Sequence, residues 1–192
     1  MRTVATCAVA LAACALFARV ATSQDLFAFM PGGGKSLLLE LIAGATTPAS
    51  ITALVTERRS EEQWLQYLAR SAERLPALST LGDKRLKTLA AYLAITMPIA
   101  PADQPGHADA AAWRNVLPAD GKELALKHCQ SCHSIYRGYL TQARDRQGWR
   151  STFEASYHTG ILVNEKEQET FVSYSAINMP VPEASIPPAL RY

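Results

Sequence analysis

The sequence predicts an all-helical protein made of two tandem lobes. Apolar residues recur at helical spacing behind recognisable N-cap residues, the strand pattern of a βαβ unit is absent, and the chain repeats itself. Pro31-Gly32-Gly33-Gly34-Lys35-Ser36-Leu37-Leu38-Leu39 matches Pro118-Ala119-Asp120-Gly121-Lys122-Glu123-Leu124-Ala125-Leu126. Further on, Tyr92-Leu93-Ala94-Ile95-Thr96-Met97-Pro98 matches Tyr174-Ser175-Ala176-Ile177-Asn178-Met179-Pro180, and Trp64 and Trp149 each lie between the two matching stretches. Both halves therefore run in the same order: a P-x-x-G-K helix, a tryptophan helix, then Y-x-A-I-x-M-P.

In chain order, residues 1–23 come first and read as a secretory signal. Arg2 is a short positive n-region, Thr3 to Ala18 is apolar or small, and Ala21-Thr22-Ser23 suits a signal peptidase cutting before Gln24. The apolar run falls short of the roughly 20 residues a membrane span needs. Leu11-Ala12-Ala13-Cys14 also matches a lipobox, so membrane attachment is expected only if Cys14 is acylated. Either route places the folded part outside the cytoplasm, with a periplasmic location expected.

Residues 24–98 form the first lobe. Its helices are expected at Gly34–Ala43, after the capping box Ser60-Glu61-Glu62-Gln63 that leads into Trp64, and over Lys84–Met97 behind Asp83. Residues 99–117, rich in Ala, Pro and Asp, read as a linker. Residues 118–192 form the second lobe, with helices at Asp120–Cys132, Gln147–His158 and Glu165–Ile177, the last capped by Asn164 with Glu167 at its third position.

Charge excludes one class of partner. Removal of Arg2 and Arg19 takes Lys+Arg from 19 to 17, equal to the 17 Asp+Glu. A balanced chain has no electrostatic footprint for nucleic acid.

The chemistry is concentrated in Cys129-Gln130-Ser131-Cys132-His133. CxxCH is the attachment pattern of c-type haem. Residues three apart share a helix face, so both sulfurs reach one edge of a porphyrin and His133 points at the iron. Zinc would need further paired ligands. With Cys7 and Cys14 in the signal, Cys129 and Cys132 are the only cysteines of the mature chain. Carried back through the repeat, this pentapeptide falls on Ile42-Ala43-Gly44-Ala45-Thr46, and every histidine of the chain lies after residue 105. The expectation is one haem c, in the second lobe alone. Ile42, Leu38, Leu41 and Ile95 are expected to fill the space in the first lobe, which is expected to lean on its neighbour.

The second iron ligand decides between electron transfer and ligand binding. Met179, in a loop leaving a helix and stiffened by Pro180, is the first candidate. His158, after the Trp149 helix, is the competitor, whereas His128 lies on the attachment helix itself. Tyr136, Tyr139 and Trp149 are expected near the ring, and Arg137, Arg144, Arg146 and Arg150 form a docking patch, an ordinary solvated loop or partners for the propionates.

The second lobe resembles a class I cytochrome c domain through CQSCH, the Gly121-Lys122 helix, Trp149 and Tyr174…Met179-Pro180, over residues 115–182. The whole mature chain resembles two-lobed cytochrome c subunits of periplasmic dehydrogenases, notably the sulfite dehydrogenase type, where a segment like Arg58-Arg59-Ser60-Glu61-Glu62-Gln63-Trp64 recurs. That resemblance implies two cytochrome c-like helical domains, and the first departs from the pattern by having lost its haem site. It also implies single-electron transfer rather than catalysis, with a periplasmic dehydrogenase catalytic subunit as partner, a downstream cytochrome or oxidase, or both. A haem enzyme or gas sensor with an open distal site, and a structural subunit with a vestigial haem, are the alternatives.

Overall fold

Helix after helix begins where a short polar side chain can accept from the first unpaired backbone N–H groups. The computed structural model describes residues 26–45, 47–105, 109–130, 134–161 and 163–192. The signal region, Thr46, Cys132 and His133 lie outside them. The helices are α1 Gly34–Ala43, α2 Pro48–Thr56, α3 Glu61–Arg70, α4 Asp83–Thr96, α5 Ala110–Val116, α6 Gly121–His128, α7 Arg146–Glu154 and α8 Glu165–Asn178. Among the described residues there is no strand, and the fold class is all-α. No helix among them is long and apolar enough to cross a membrane.

The capping boxes of Ser60 with Gln63 and Asn164 with Glu167 stand as the sequence predicts. Asp83 does not: Gly82 takes the cap position and Asp83 opens α4, where its charge still suits the positive helix end. Two helices were not anticipated. Thr47 caps α2 with Pro48 in its first turn, a combination that favours helix initiation. The 99–117 stretch holds α5, capped by Asp109 through a 2.8 Å bond from the Ala112 N–H, and its Trp113 is only 4% exposed. An apolar ring that size needs cover, and this stretch packs Trp113 and Leu117 into a buried core.

Buried side chains fall into two clusters. The first includes Leu37, Leu38, Leu41, Ile42, Leu54, Trp64 and Leu93, and takes in Trp113 and Leu117 from the stretch before Pro118. The second includes Leu124, Tyr139, Trp149, Phe171, Val172 and Met179, and takes in Phe27 and Met30 from the stretch before Pro31. Each half thus sends the segment ahead of its P-x-x-G-K helix into the core of the other half. Ile95, expected in the first core, is half-buried and stays outside it.

The repeat visible in the sequence is also a repeat of contacts. The Tyr92 hydroxyl donates to the Pro118 carbonyl and the Tyr174 hydroxyl to the Pro31 carbonyl, each at 2.7 Å. Gly34 lies against Tyr92 and Gly121 against Tyr174, each where a methyl group would overlap the tyrosine Cβ. The Ile99 N–H donates to Val55 and the Val181 N–H to Leu140, both at 2.8 Å. Arg59 stacks over Trp64 at 5.2 Å and Arg144 over Trp149 at 5.3 Å.

Between the halves, α4 packs on α8, and the buried Asn178 side chain donates to Thr88 Oγ1 at 2.9 Å. Asp120 ties the two N-terminal helices together. Its carboxylate accepts from Glu123 N–H at 3.0 Å, capping α6, and from Lys35 N–H at 3.0 Å and Ser36 N–H at 3.4 Å, in the first turn of α1. Burial raises its pKa above the ordinary carboxylate range, against the effect of those N–H donors. Gly33, at the matching place in the first half, leaves room for this carboxylate. Asp120→Ala removes acceptors from two helix starts at once. It is expected to cost about 2 kcal/mol, roughly one cap at each helix, measured as a lower urea midpoint with unchanged slope. A loss under about 0.5 kcal/mol, the range of ordinary surface substitutions, would show that the shared cap carries no weight.

Candidate cofactor site

The residues around the attachment motif are placed by α6, α7 and α8. α6 carries Leu124 and Ala125 on its buried face and ends at Cys129, whose N–H bonds to the Ala125 carbonyl at 2.8 Å. α7 is capped by Asp145, which accepts from Gly148 N–H at 2.7 Å, and presents Trp149 inward. α8 supplies Phe171. Tyr139 packs on Trp149 and Phe171 with ring centroids 5.2 and 5.6 Å apart, and its hydroxyl is bonded to Ser175 Oγ at 2.9 Å.

These side chains surround a cavity of about 460 Å³. Its wall includes Cys129, Tyr139, Trp149, Phe153, His158 and Phe171, with Tyr157, 82% exposed, at the same wall. The volume is in the range of small-molecule and cofactor sites, and the lining is mainly apolar and aromatic as in such sites.

Cys129 faces apolar surroundings, and burial pushes its thiol up to about 12. A redox dithiol or nucleophile needs the opposite shift, since the thiolate is the reactive form. The environment instead suits a sulfur destined for an uncharged thioether. Cys132 and His133 lie outside the described residues, so the sulfur pair and the first axial histidine rest on the sequence alone.

Trp149 Nε1 is buried and has no hydrogen-bond partner among the described residues. Trp64 Nε1 is in the same condition, so an orphaned indole is not by itself a mark of a cofactor. Trp149 differs in forming part of the cavity wall. The cavity, the half-buried thiol and the waiting donor together fit a large, flat, mainly apolar group with polar edges.

The other sequence candidates are dispersed. Met179 is 6% exposed, in the second core, and is not among the described residues lining the cavity. It ends α8 as its C-cap, just as Met97 ends α4. His158 is in the wall. Its Nδ1 lies 2.7 Å from the Thr152 carbonyl, and its ring meets Tyr157 edge-on at 4.6 Å. His128 is also in the wall, with its pKa lowered chiefly by burial. Tyr136 is turned away to bond Glu183 at 3.0 Å.

The arginine segment is largely engaged within the chain. Arg146 pairs with Glu61 of α3 and Arg150 with Glu169 of α8, while Arg144 covers Trp149. In the first half, Ile42 is buried where the second half has Cys129. Residues Ile51, Leu54 and Val55 of α2 fill that core. The equivalent backbone bonds of Val55 and Leu140 place Leu54 opposite the position of Tyr139. Thr152, Phe153 and Phe171 are cavity wall that sequence reasoning missed. Phe171 lies at helical spacing on α8, but that spacing marks burial and not what is buried against it.

No family model, curated protein or solved structure matches the chain. The reading of the site therefore rests on its own residues.

Proposed function

We propose that the protein is a monohaem c-type cytochrome of the periplasm, similar to class I cytochromes c in its second lobe and carrying a first lobe of the same descent without haem. In this reading Cys129 and Cys132 hold the haem vinyl carbons and His133 is the proximal ligand. Met179 and His158 are the candidates for the remaining position. The observation that carries the proposal is the coincidence of CQSCH with a mainly apolar cavity of about 460 Å³ whose wall includes Cys129. Bound haem supplies reversible one-electron chemistry at iron. The chain's own part is to exclude water with Tyr139, Trp149, Phe153 and Phe171, and to offer the Trp149 Nε1–H to a propionate.

The protein is an electron carrier and not itself an enzyme, working as the electron-accepting subunit or partner of a periplasmic dehydrogenase. A retained lobe without haem supports a subunit role, because a free carrier needs only the haem lobe. Arg146 and Arg150 are paired internally, so docking by a basic patch is not the mode this reading favours.

Expression in a host with haem-maturation machinery is expected to give haem that survives denaturing electrophoresis, at one haem per chain. A secreted chain whose two thiols both remain alkylatable would sink the proposal.

A further inference from the structure

We propose that the second axial ligand is His158, which makes the iron bis-histidine, with Met179 a packing residue. This rests on the haem reading above and assigns the one position that the sequence left between two residues.

The first argument is place. Cys129 and His158 are in the wall of one cavity, and Met179 is not among its described lining residues. Met179 lies instead within the second core, at 6% exposure, where α8 ends.

The second argument comes from the repeat. Met-Pro occurs in both halves. Met97 and Met179 each close a helix, each precede a proline, and each are buried, at 2% and 6% exposure. Two residues beyond each methionine, the backbone N–H makes a matching bond within its own half, Ile99 to Val55 and Val181 to Leu140. The first half has no CxxCH, so its Met-Pro is explained by packing alone, and the same explanation covers the second. His158 has no such twin. Nine residues beyond Trp64, where the second half has His158, the first half has Glu73, which is exposed. A ligand should occur with the attachment motif and be missing without it. His158 meets that condition and Met179 does not.

The third argument is the ring itself. A carbonyl can only accept, so the 2.7 Å contact with Thr152 requires the proton on Nδ1. That tautomer puts the lone pair on Nε2, the form in which imidazole binds a metal. A backbone carbonyl fixing the other nitrogen is the usual support for a ligating histidine. The short helical turn Ser156–His158, with His158 N–H bonded to the Ala155 carbonyl at 2.8 Å, holds the ring there.

The test uses the full-length holoprotein. The wild-type ferric spectrum is expected to be low-spin and to lack the methionine–iron charge-transfer band, and Met179→Leu is expected to leave it unchanged. His158→Gly is expected to turn the ferric haem high-spin and to let the reduced protein bind carbon monoxide within mixing time, and added imidazole is expected to restore the low-spin spectrum. His158→Met is expected to introduce the charge-transfer band and raise the midpoint potential, since a methionine ligand favours ferrous iron. A charge-transfer band in the wild type that Met179→Leu abolishes would overturn His158 as ligand and leave the haem reading standing. So would a His158→Gly protein that stays low-spin without imidazole. Wild-type protein with no covalent haem would overturn both. Far-ultraviolet circular dichroism of each variant separates ligand loss from unfolding.

Discussion

In the haem reading, a chain in which Cys129 and Cys132 are both serine is expected to reach the periplasm without covalent haem and with its second lobe unfolded. The first effect follows from the thioether chemistry of the motif. The second follows from the size of the hole. An empty space of about 460 Å³, at about 24 cal/mol per Å³ of cavity, corresponds to roughly 11 kcal/mol. The wall includes the exposed Tyr157, so the cavity is not sealed and that figure is an upper bound. It is still comparable to the whole stability of a domain, about 5–15 kcal/mol. The first half faces no such loss, because Ile51, Leu54 and Val55 fill its core. Hydrogen exchange should therefore show α7 and residues 134–161 unprotected in the double variant, with α1, α3 and α4 still protected. Equal protection of α7 in wild type and variant would mean that the cavity closes without haem, and that the group is not structural.

Gly121→Ala is expected to be strongly destabilising for a change of one methyl group. Its Cβ would overlap Tyr174 Cβ and lie 2.8 Å from the Thr170 carbonyl oxygen. Neither neighbour is the tip of a flexible side chain, so α6 and α8 must move apart. Overpacking of this kind costs about 3 kcal/mol or more. The separation also pulls Tyr174 from the Pro31 carbonyl, which it now reaches at 2.7 Å. Gly34→Ala is expected to act in the same way on α1 and α4, against Tyr92. Gly44→Ala is the control: its nearest new contacts, 3.5 and 3.7 Å, are ordinary van der Waals distances. Thermal melts should lose ten degrees or so for the first two, taking about 4 °C or less per kcal/mol in a chain of this size, and little for the third. Equal melts for all three would show that the crossings open freely.

The helices that the sequence announces are those whose caps are local. Ser60 with Gln63, and Asn164 with Glu167, satisfy backbone groups three residues away, and such patterns are readable in a single window. α2 and α5 carry equally local caps at Thr47 and Asp109. They were hidden by composition, a short apolar run with β-branched residues in one case and an Ala/Pro-rich stretch in the other. Asp120 was invisible as a tie between halves, because two of the three N–H groups its carboxylate accepts from lie more than 80 residues away.

The site divides along the same line. CQSCH is legible because its chemistry is compressed into five residues. The cavity wall is not, because Phe153, His158 and Phe171 meet Cys129 only once α6, α7 and α8 are in place. Helical spacing also cannot separate a methionine that packs from one that ligates. The buried Met97, in a half without the attachment motif, provides that separation.

The exchange of leading segments bears on how such a chain can be made. Phe27 and Met30 stand near the start of the described chain, yet the core they enter also takes in Ile186 and Leu190 near its other end. In the proposed haem reading, that core would close over the ring only once both ends of the chain are in place.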